Sequence, residues 1–189
     1  MCGRVIQSSG PLRYAIVDGM NVRDSRVHNY PPRWNAAPSQ ELLVIRRNHK
    51  TGEVSLDPLQ WGLIPYWCQD PSGGRKPINA KYETVARLPT FRDAYRLRRC
   101  IVPVDGFFEW KAIKGQKAKQ PYAIAMKDGA PFGICGFGRT GNNPAQVSGY
   151  VPSRSSRQMG STSRRMMIHQ LLSRWSWQPS PCELVHPPI

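Results

Sequence analysis

A chain of 189 residues has room for one domain with a real core, and 40% hydrophobic with 10% aromatic residues excludes wholesale disorder. No apolar run approaches the roughly 18 residues a membrane helix needs, and Met1-Cys2-Gly3-Arg4-Val5 lacks the charged-then-apolar pattern of an export signal, so a cytoplasmic protein with no membrane partner is expected. Lys and Arg number 27 against 12 Asp and Glu, a net charge of +15 that favours a polyanionic partner, foremost nucleic acid.

In chain order, Val5-Ile6, Glu41-Leu42-Leu43-Val44-Ile45, Cys100-Ile101-Val102-Pro103-Val104, Tyr122-Ala123-Ile124-Ala125-Met126 and Phe132-Gly133-Ile134-Cys135 are short β-type runs bounded by Pro, Gly or Asp. Glu83 to Arg98 has helical spacing with Pro89 near its middle, which predicts one or two short helices. The expected fold is α+β: a single, mainly β domain. Composition shifts near residue 136. Residues 1–135 hold 21 basic and 11 acidic residues, whereas 136–189 hold six arginines, nine serines and one acid, Glu183. The chain therefore divides into a structured part, 1–135, and an atypical Ser/Arg-rich tail, 136–189.

Five scattered cysteines (Cys2, Cys68, Cys100, Cys135, Cys182), odd in number and without a Cys-x-x-Cys pair, speak against a disulfide framework and against a zinc site. No metal and no cofactor is expected. Cys2 is special by position. Once Met1 is removed it carries an α-amine, titrating at about 7.7–8.0, beside its thiol. Such a 1,2-aminothiol condenses with an aldehyde and closes a five-membered thiazolidine ring; a cysteine placed there by accident would look the same.

Three more segments carry candidate chemistry. Ile78-Asn79-Ala80-Lys81-Tyr82-Glu83-Thr84 offers an amide, an ammonium and a carboxylate suited to a sugar or phosphate, or else a turn entering a helix with Glu83 in its first turn. Glu109, between aromatics in the strand-like Val104–Lys111 stretch, is a candidate general acid or base, or an exposed strand residue. Gln60-Trp61-Gly62-Leu63-Ile64-Pro65-Tyr66-Trp67 packs three large aromatics into seven positions, for a core or for stacking on unpaired bases.

Together, Met1-Cys2-Gly3-Arg4, Trp34-Asn35-Ala36-Ala37-Pro38, Trp61–Trp67, Ile78–Thr84 and Asp105-Gly106-Phe107-Phe108-Glu109-Trp110-Lys111, followed by Gln120-Pro121-Tyr122, resemble the SOS-response-associated peptidase (SRAP) family of abasic-site processing proteins. The resemblance implies a barrel-like sheet with short flanking helices. It also implies a protein that captures abasic sites in single-stranded DNA as a covalent cross-link during the DNA-damage (SOS) response, with an associated autopeptidase activity, acting as a monomer. By this likeness Cys2 is the nucleophile and Asn79 positions the abasic sugar. Glu109 is the acid/base near the Cys2 amine, Arg4 and Lys81 hold phosphates, and Trp67 sits against a flanking base. Lys81 stands where the family usually has Arg, which keeps the charge and loses bidentate contact.

The family's later histidine, in a motif like Ile-His-Asp-Arg-Met-Pro, has its nearest counterpart in Ile168-His169, followed here by Gln170-Leu171-Leu172. The resemblance stops after Cys135. Codons for Phe137–Asn142, regrouped by two bases, can spell tryptophan, glutamate, asparagine, tryptophan and lysine, a string like the family's next segment. Residues from about 137 onward are accordingly expected to be out of frame, leaving an open sheet edge and marginal stability. Two rival expectations are a non-covalent single-stranded nucleic-acid binder using Trp61 and Trp67, and a truncated, inactive member of the family. A third is a peptidase with Cys2 as N-terminal nucleophile.

Overall fold

The computed structural model describes residues 3–17, 29–48, 51–65, 67, 68, 77–139 and 146–151. Among them the elements run β1 (Val5–Gln7), α1 (Pro11–Val17), β2 (Arg33–Ala36), β3 (Glu41–Arg47), β4 (Val54–Trp61), β5 (Asn79–Lys81), α2 (Tyr82–Val85), α3 (Pro89–Leu97), β6 (Arg99–Val104), β7 (Gly106–Ala112), β8 (Lys119–Ala125), β9 (Phe132–Arg139) and β10 (Gln146–Val151). The helical segment is broken as Pro89 requires. Lacking an N–H, it suits the first turn of α3 and leaves α2 as a separate single turn. No helix of the described residues is long and apolar enough to cross a membrane.

The strands make two sheets, one of four strands in the order β2-β1-β7-β8 and one of six in the order β4-β3-β6-β9-β10-β5. In the larger sheet β10 also pairs with β4, through Gln146↔Gln60 and Val147↔Trp61, so that β4, β3, β6, β9 and β10 close into a barrel. β5 is attached through the parallel pairs Gly149↔Asn79, Tyr150↔Ala80 and Val151↔Lys81. The fold is thus the expected mainly β, barrel-like one with short helices. The sheet nevertheless runs on past residue 135: β9 continues to Arg139, and β10 covers the edge that was expected to stay open. Closure removes that edge because every strand of the ring has two neighbours.

Period-two alternation sorts the side chains of the barrel strands into two layers. Leu42 and Val44 of β3, with Leu59 and Trp61 of β4 and Cys100, Val102 and Val104 of β6, pack with Val5 and Ala36 of the smaller sheet. The intervening Leu43 and Ile45, with Leu56, pack under Tyr14 of α1. A third cluster seats α2 and α3 on β9, with the Phe91 ring edge-on to Phe137 at 5.6 Å between centroids. Strand β3 is therefore buried on both faces, which is what its unbroken apolar run encodes.

Two polar groups lock the sheets together. Gln7 of β1 is fully buried: its amide nitrogen donates to the carbonyls of Leu43 (2.9 Å) and Pro103 (2.6 Å), and its Oε1 accepts the Leu43 N–H (2.9 Å). Asp105, at the corner between β6 and β7, accepts from the backbone N–H groups of Ser8 (2.7 Å) and Ser9 (2.8 Å) and from the hydroxyls of Ser8 (3.1 Å), Ser9 (2.5 Å) and Tyr14 (2.5 Å). Burial works against the Asp105 charge, yet the hydrogen bonds from Ser9, Tyr14 and Ser8 outweigh it and hold the carboxyl below its ordinary value. Burial, reinforced by the Asp105 carboxylate, pushes the Tyr14 phenol far up, so the hydroxyl remains a donor.

Gln7→Leu keeps the volume but orphans the buried Leu43 N–H, and is expected to lose about 1–3 kcal/mol in urea unfolding. Because folding depresses the Asp105 carboxyl, its contribution is complete above the unfolded value of about 3.9 and is lost as pH falls through the folded one. Thermal melts between pH 7 and pH 2.5 are expected to show Asp105→Asn less stable at pH 7, with part of the acid-side loss of the parent chain removed.

Candidate active site

The first described residues approach β7 from its side. Strand β1 pairs antiparallel with β7 through Val5↔Phe107 and Ile6↔Gly106, and the Phe108 N–H donates to the Arg4 carbonyl at 3.0 Å. The same register, continued one residue beyond Arg4, sets Gly3 against Glu109. Gly106 is what lets β1 and β8 flank β7 this closely. A Cβ there would meet the Ile124 carbonyl at 2.8 Å.

Glu109 is half-buried on β7, directly opposite Tyr122 of β8 and flanked in sequence by Phe108 and the exposed Trp110. Alternation puts it on the face of Phe107, which packs against the cluster containing Val5. Asn79, half-buried on β5, follows Ile78, and Ile78 packs against that same cluster. Arg4, Asn79 and Glu109 are therefore each within two residues of one apolar cluster that fixes three different strands. The Arg4 guanidinium donates to Asn35 Oδ1 of β2 at 3.3 Å, a partner that the sequence offered only inside the Trp34–Pro38 motif.

Trp61 is the correction. Its ring is 4% exposed in the core, and its indole N–H donates to the Ile78 carbonyl at 3.0 Å, so it does not stack on bases. A large apolar ring with one donor suits a core position that offers a backbone acceptor. Trp67, by contrast, is 47% exposed. The segment leading to it is pinned by Leu63 N–H to the Pro77 carbonyl at 3.0 Å and by Arg139, whose Nη1 donates to the Pro65 carbonyl at 2.9 Å. Lys81 is exposed at the end of β5, and Glu83 lies in the first turn of α2. Cys2 and His169 lie outside the described residues.

Cys100 and Cys135 differ from a reactive thiol. Burial pushes the Cys100 thiol up, with neighbouring Cys135 adding to it, and burial raises Cys135 as well. A thiol kept protonated is a poor nucleophile. No group of three or more His, Cys, Asp or Glu among the described residues could hold a metal ion.

Residues 1–170 match the family SRAP, SOS response associated peptidase. The chain belongs to this family. Among curated proteins it is similar to the abasic site processing protein YoaM of Bacillus subtilis (strain 168), 42% identical over 108 residues, which is 57% of this chain and 46% of that protein. It is also similar to the abasic site processing protein YedK of Escherichia coli (strain K12), 33% identical over 142 residues, 74% of this chain and 60% of that one. The chain thus spans about half the length of the Bacillus relatives it matches. Among solved structures, a phage-related protein of Bordetella bronchiseptica superposes with a TM-score of 0.62 at 30% identity, over 80% of this chain and 69% of that one.

The two tryptophans of the SRAP segment should separate in the test tube. Trp61→Ala is expected to destabilise by about 3–5 kcal/mol, the range for emptying a buried aromatic site. Trp67→Ala is expected to stay within about 0.5 kcal/mol, as exposed positions do, in the same denaturant titration.

Proposed function

We propose that this SRAP chain captures abasic sites in single-stranded DNA as a thiazolidine at Cys2. The α-amine, once Met1 is gone, attacks the aldehyde carbon of the ring-opened sugar to give a carbinolamine. Loss of water gives an imine. The Cys2 thiol then adds to the imine carbon, its proton passes to nitrogen, and the ring closes. No oxidant or cofactor is needed.

Glu109 is assigned the proton transfers: it takes a proton from the attacking amine and gives one to the departing hydroxyl. The same group acts in reversal and in autoproteolytic removal of the residues before Cys2. Asn79 is assigned to the sugar, Arg4 and Lys81 to the flanking phosphates, Trp67 to a neighbouring base and His169 to the family's histidine role. The reading includes action as a monomer in the cytoplasm, in the response to DNA damage.

One observation chiefly supports this: the β1–β7 pairing, with the Phe108 N–H on the Arg4 carbonyl, runs the chain's first described residues along the strand that carries Glu109. The names of the relatives and the net charge of +15 support the nucleic-acid part. The same charge favours one alternative, a non-covalent binder in which Cys2 is inert.

A denaturing gel separates them. With single-stranded DNA carrying one abasic site, a shifted band that survives SDS is expected from the parent chain, none from Cys2→Ala, and one forming at least about 10²-fold more slowly from Glu109→Gln, the usual worth of general acid–base help. No SDS-stable band from folded parent protein, beside salt-sensitive binding that ignores the abasic site, would establish the non-covalent binder instead.

A further inference from the structure

Beyond Glu109, strands β7 and β8 leave the body of the protein. From Trp110 to Ala123 every residue except the half-buried Ile113 is exposed. The two strands stay paired through Trp110↔Pro121, Lys111↔Gln120 and Ala112↔Lys119, and the tip turns at Ile113–Gln116, where the Gln116 N–H donates to the Ile113 carbonyl at 3.1 Å and Gly115 takes φ +84°. That positive φ suits glycine, which lets the hairpin reverse tightly without strain.

This projecting hairpin carries Lys111, Lys114, Lys117 and Lys119, and between residues 110 and 127 there is no acid. Among the described residues no carboxylate pairs with any of the four. Lysines often protect exposed strand edges from pairing with another chain. That accounts for Lys111 and Lys119, which lie on the ladder; it does not account for Lys114 and Lys117, which lie in the connection between the two strands, where there is no ladder to protect. Lys111 shares the face of Glu109, two residues before it, and Tyr122 stands directly across from Glu109, 38% exposed.

We propose that the β7–β8 hairpin is an arm that grips the single-stranded DNA flanking the captured site, with the Lys111, Lys114 and Lys117 ammonium groups on its phosphates and the Tyr122 ring stacked on a base next to Glu109; Lys119, paired with Ala112, lies on the opposite face of the ribbon. The inference rests on the nucleic-acid part of the proposed function and not on the covalent step. Its occupant is a polyanion that carries stacking rings, which is what unpaired lysines beside an exposed phenol recognise. From Glu109 to Gly115 the arm reaches about 20 Å at 3.3 Å per residue. At the stacked spacing of 3.4 Å per nucleotide that span covers about six nucleotides.

The test uses the full chain and single-stranded DNA with no abasic site, so it does not depend on the covalent trap. Binding is measured by fluorescence anisotropy between 50 and 200 mM salt. The triple substitution Lys111→Gln, Lys114→Gln and Lys117→Gln is expected to flatten the slope of log affinity against log salt by about 2, at about 0.7 for each phosphate no longer neutralised. The matching triple Lys→Arg is expected to keep the parent slope. Tyr122→Ala is expected to weaken binding about 5- to 100-fold, the worth of one stacked base, with the slope unchanged. Circular dichroism melts within a few degrees of the parent show that each variant folds.

An unchanged slope in a folded Lys→Gln triple overturns the arm even if covalent capture proceeds normally. So does a parent chain that binds poly-glutamate as tightly as DNA and loses both equally in the triple, since the lysines would then serve an acidic protein partner. Loss of the covalent band with the slope change intact overturns the trap and leaves the arm standing.

Discussion

A proline in a central strand leaves a carbonyl without a donor, and this molecule is organised around the repair of that defect. Strand β6 pairs with β3 through Ile45↔Ile101 and Arg46↔Cys100, and the same register sets Leu43 opposite Pro103. Pro103 has no N–H to give. Gln7 inserts its amide at that point, accepting from the Leu43 N–H and donating to the carbonyls of both Leu43 and Pro103. A side-chain amide thus takes the place of a missing peptide group between two strands. Each of these bonds contributes only about 1 kcal/mol net, but leaving the buried groups unpaired would cost more than the bonds themselves contribute, so the position is intolerant.

The repair also decides where β1 lies. Gln7 must reach the gap at Leu43 and Pro103, which brings the end of β1 down on the barrel. One step further along, Asp105 collects Ser8, Ser9 and Tyr14 and fastens the β1–α1 connection to the β6–β7 corner. The Asp105 N–H returns a bond to the Ile6 carbonyl at 2.9 Å. With that end held, β1 has one register against β7, and a slip of one residue would turn Val5 out of its cluster. The alignment of Arg4 with Phe108, on which the proposed chemistry depends, is therefore a consequence of packing three and more residues away.

Much of this was legible in the chain. The runs at 41–45, 100–104, 122–126 and 132–135 became β3, β6, β8 and β9, and Pro89 divided the helical segment as expected. Strand β4 was harder to see because Asp57 and Pro58 interrupt its apolar pattern. Asp57 is buried only because Ser55 and Arg46 satisfy it at 2.6 Å each, and Arg46 is brought to it across the β3–β4 ladder and not by nearness in sequence. The lock at Gln7 was invisible for the same reason: its partners lie 36 and 96 residues away. Trp61 and Trp67 show a further limit. The chain carries two similar rings six residues apart; the alternation of β4 turns Trp61 inward beside Leu59, whereas Trp67 lies past the end of the strand at Gly62, φ +134°, and stays at the surface. At the candidate site, sequence motifs supplied Arg4, Asn79 and Glu109, while the apolar cluster that relates their strands required the fold.

Strand β7 changes character along its seven residues, and Glu109 stands at the change. At one end Gly106 is wedged between β1 and β8, where even a methyl group would strike the Ile124 carbonyl. At the other, Trp110, Lys111 and Ala112 are exposed, held only by their ladder to β8. An isolated two-stranded ribbon is marginally stable in water, so the far half has freedom that the near half lacks. Covalent capture as proposed asks for both properties. The carboxylate must keep its geometry relative to the amine within a fraction of an ångström, which a wedged strand provides. A strand of DNA arriving with variable sequence and shape needs a surface that adapts, which a charged ribbon provides. Placing the proton-transfer group at the last anchored position lets one strand serve both demands without coupling the motion of the arm to the chemistry.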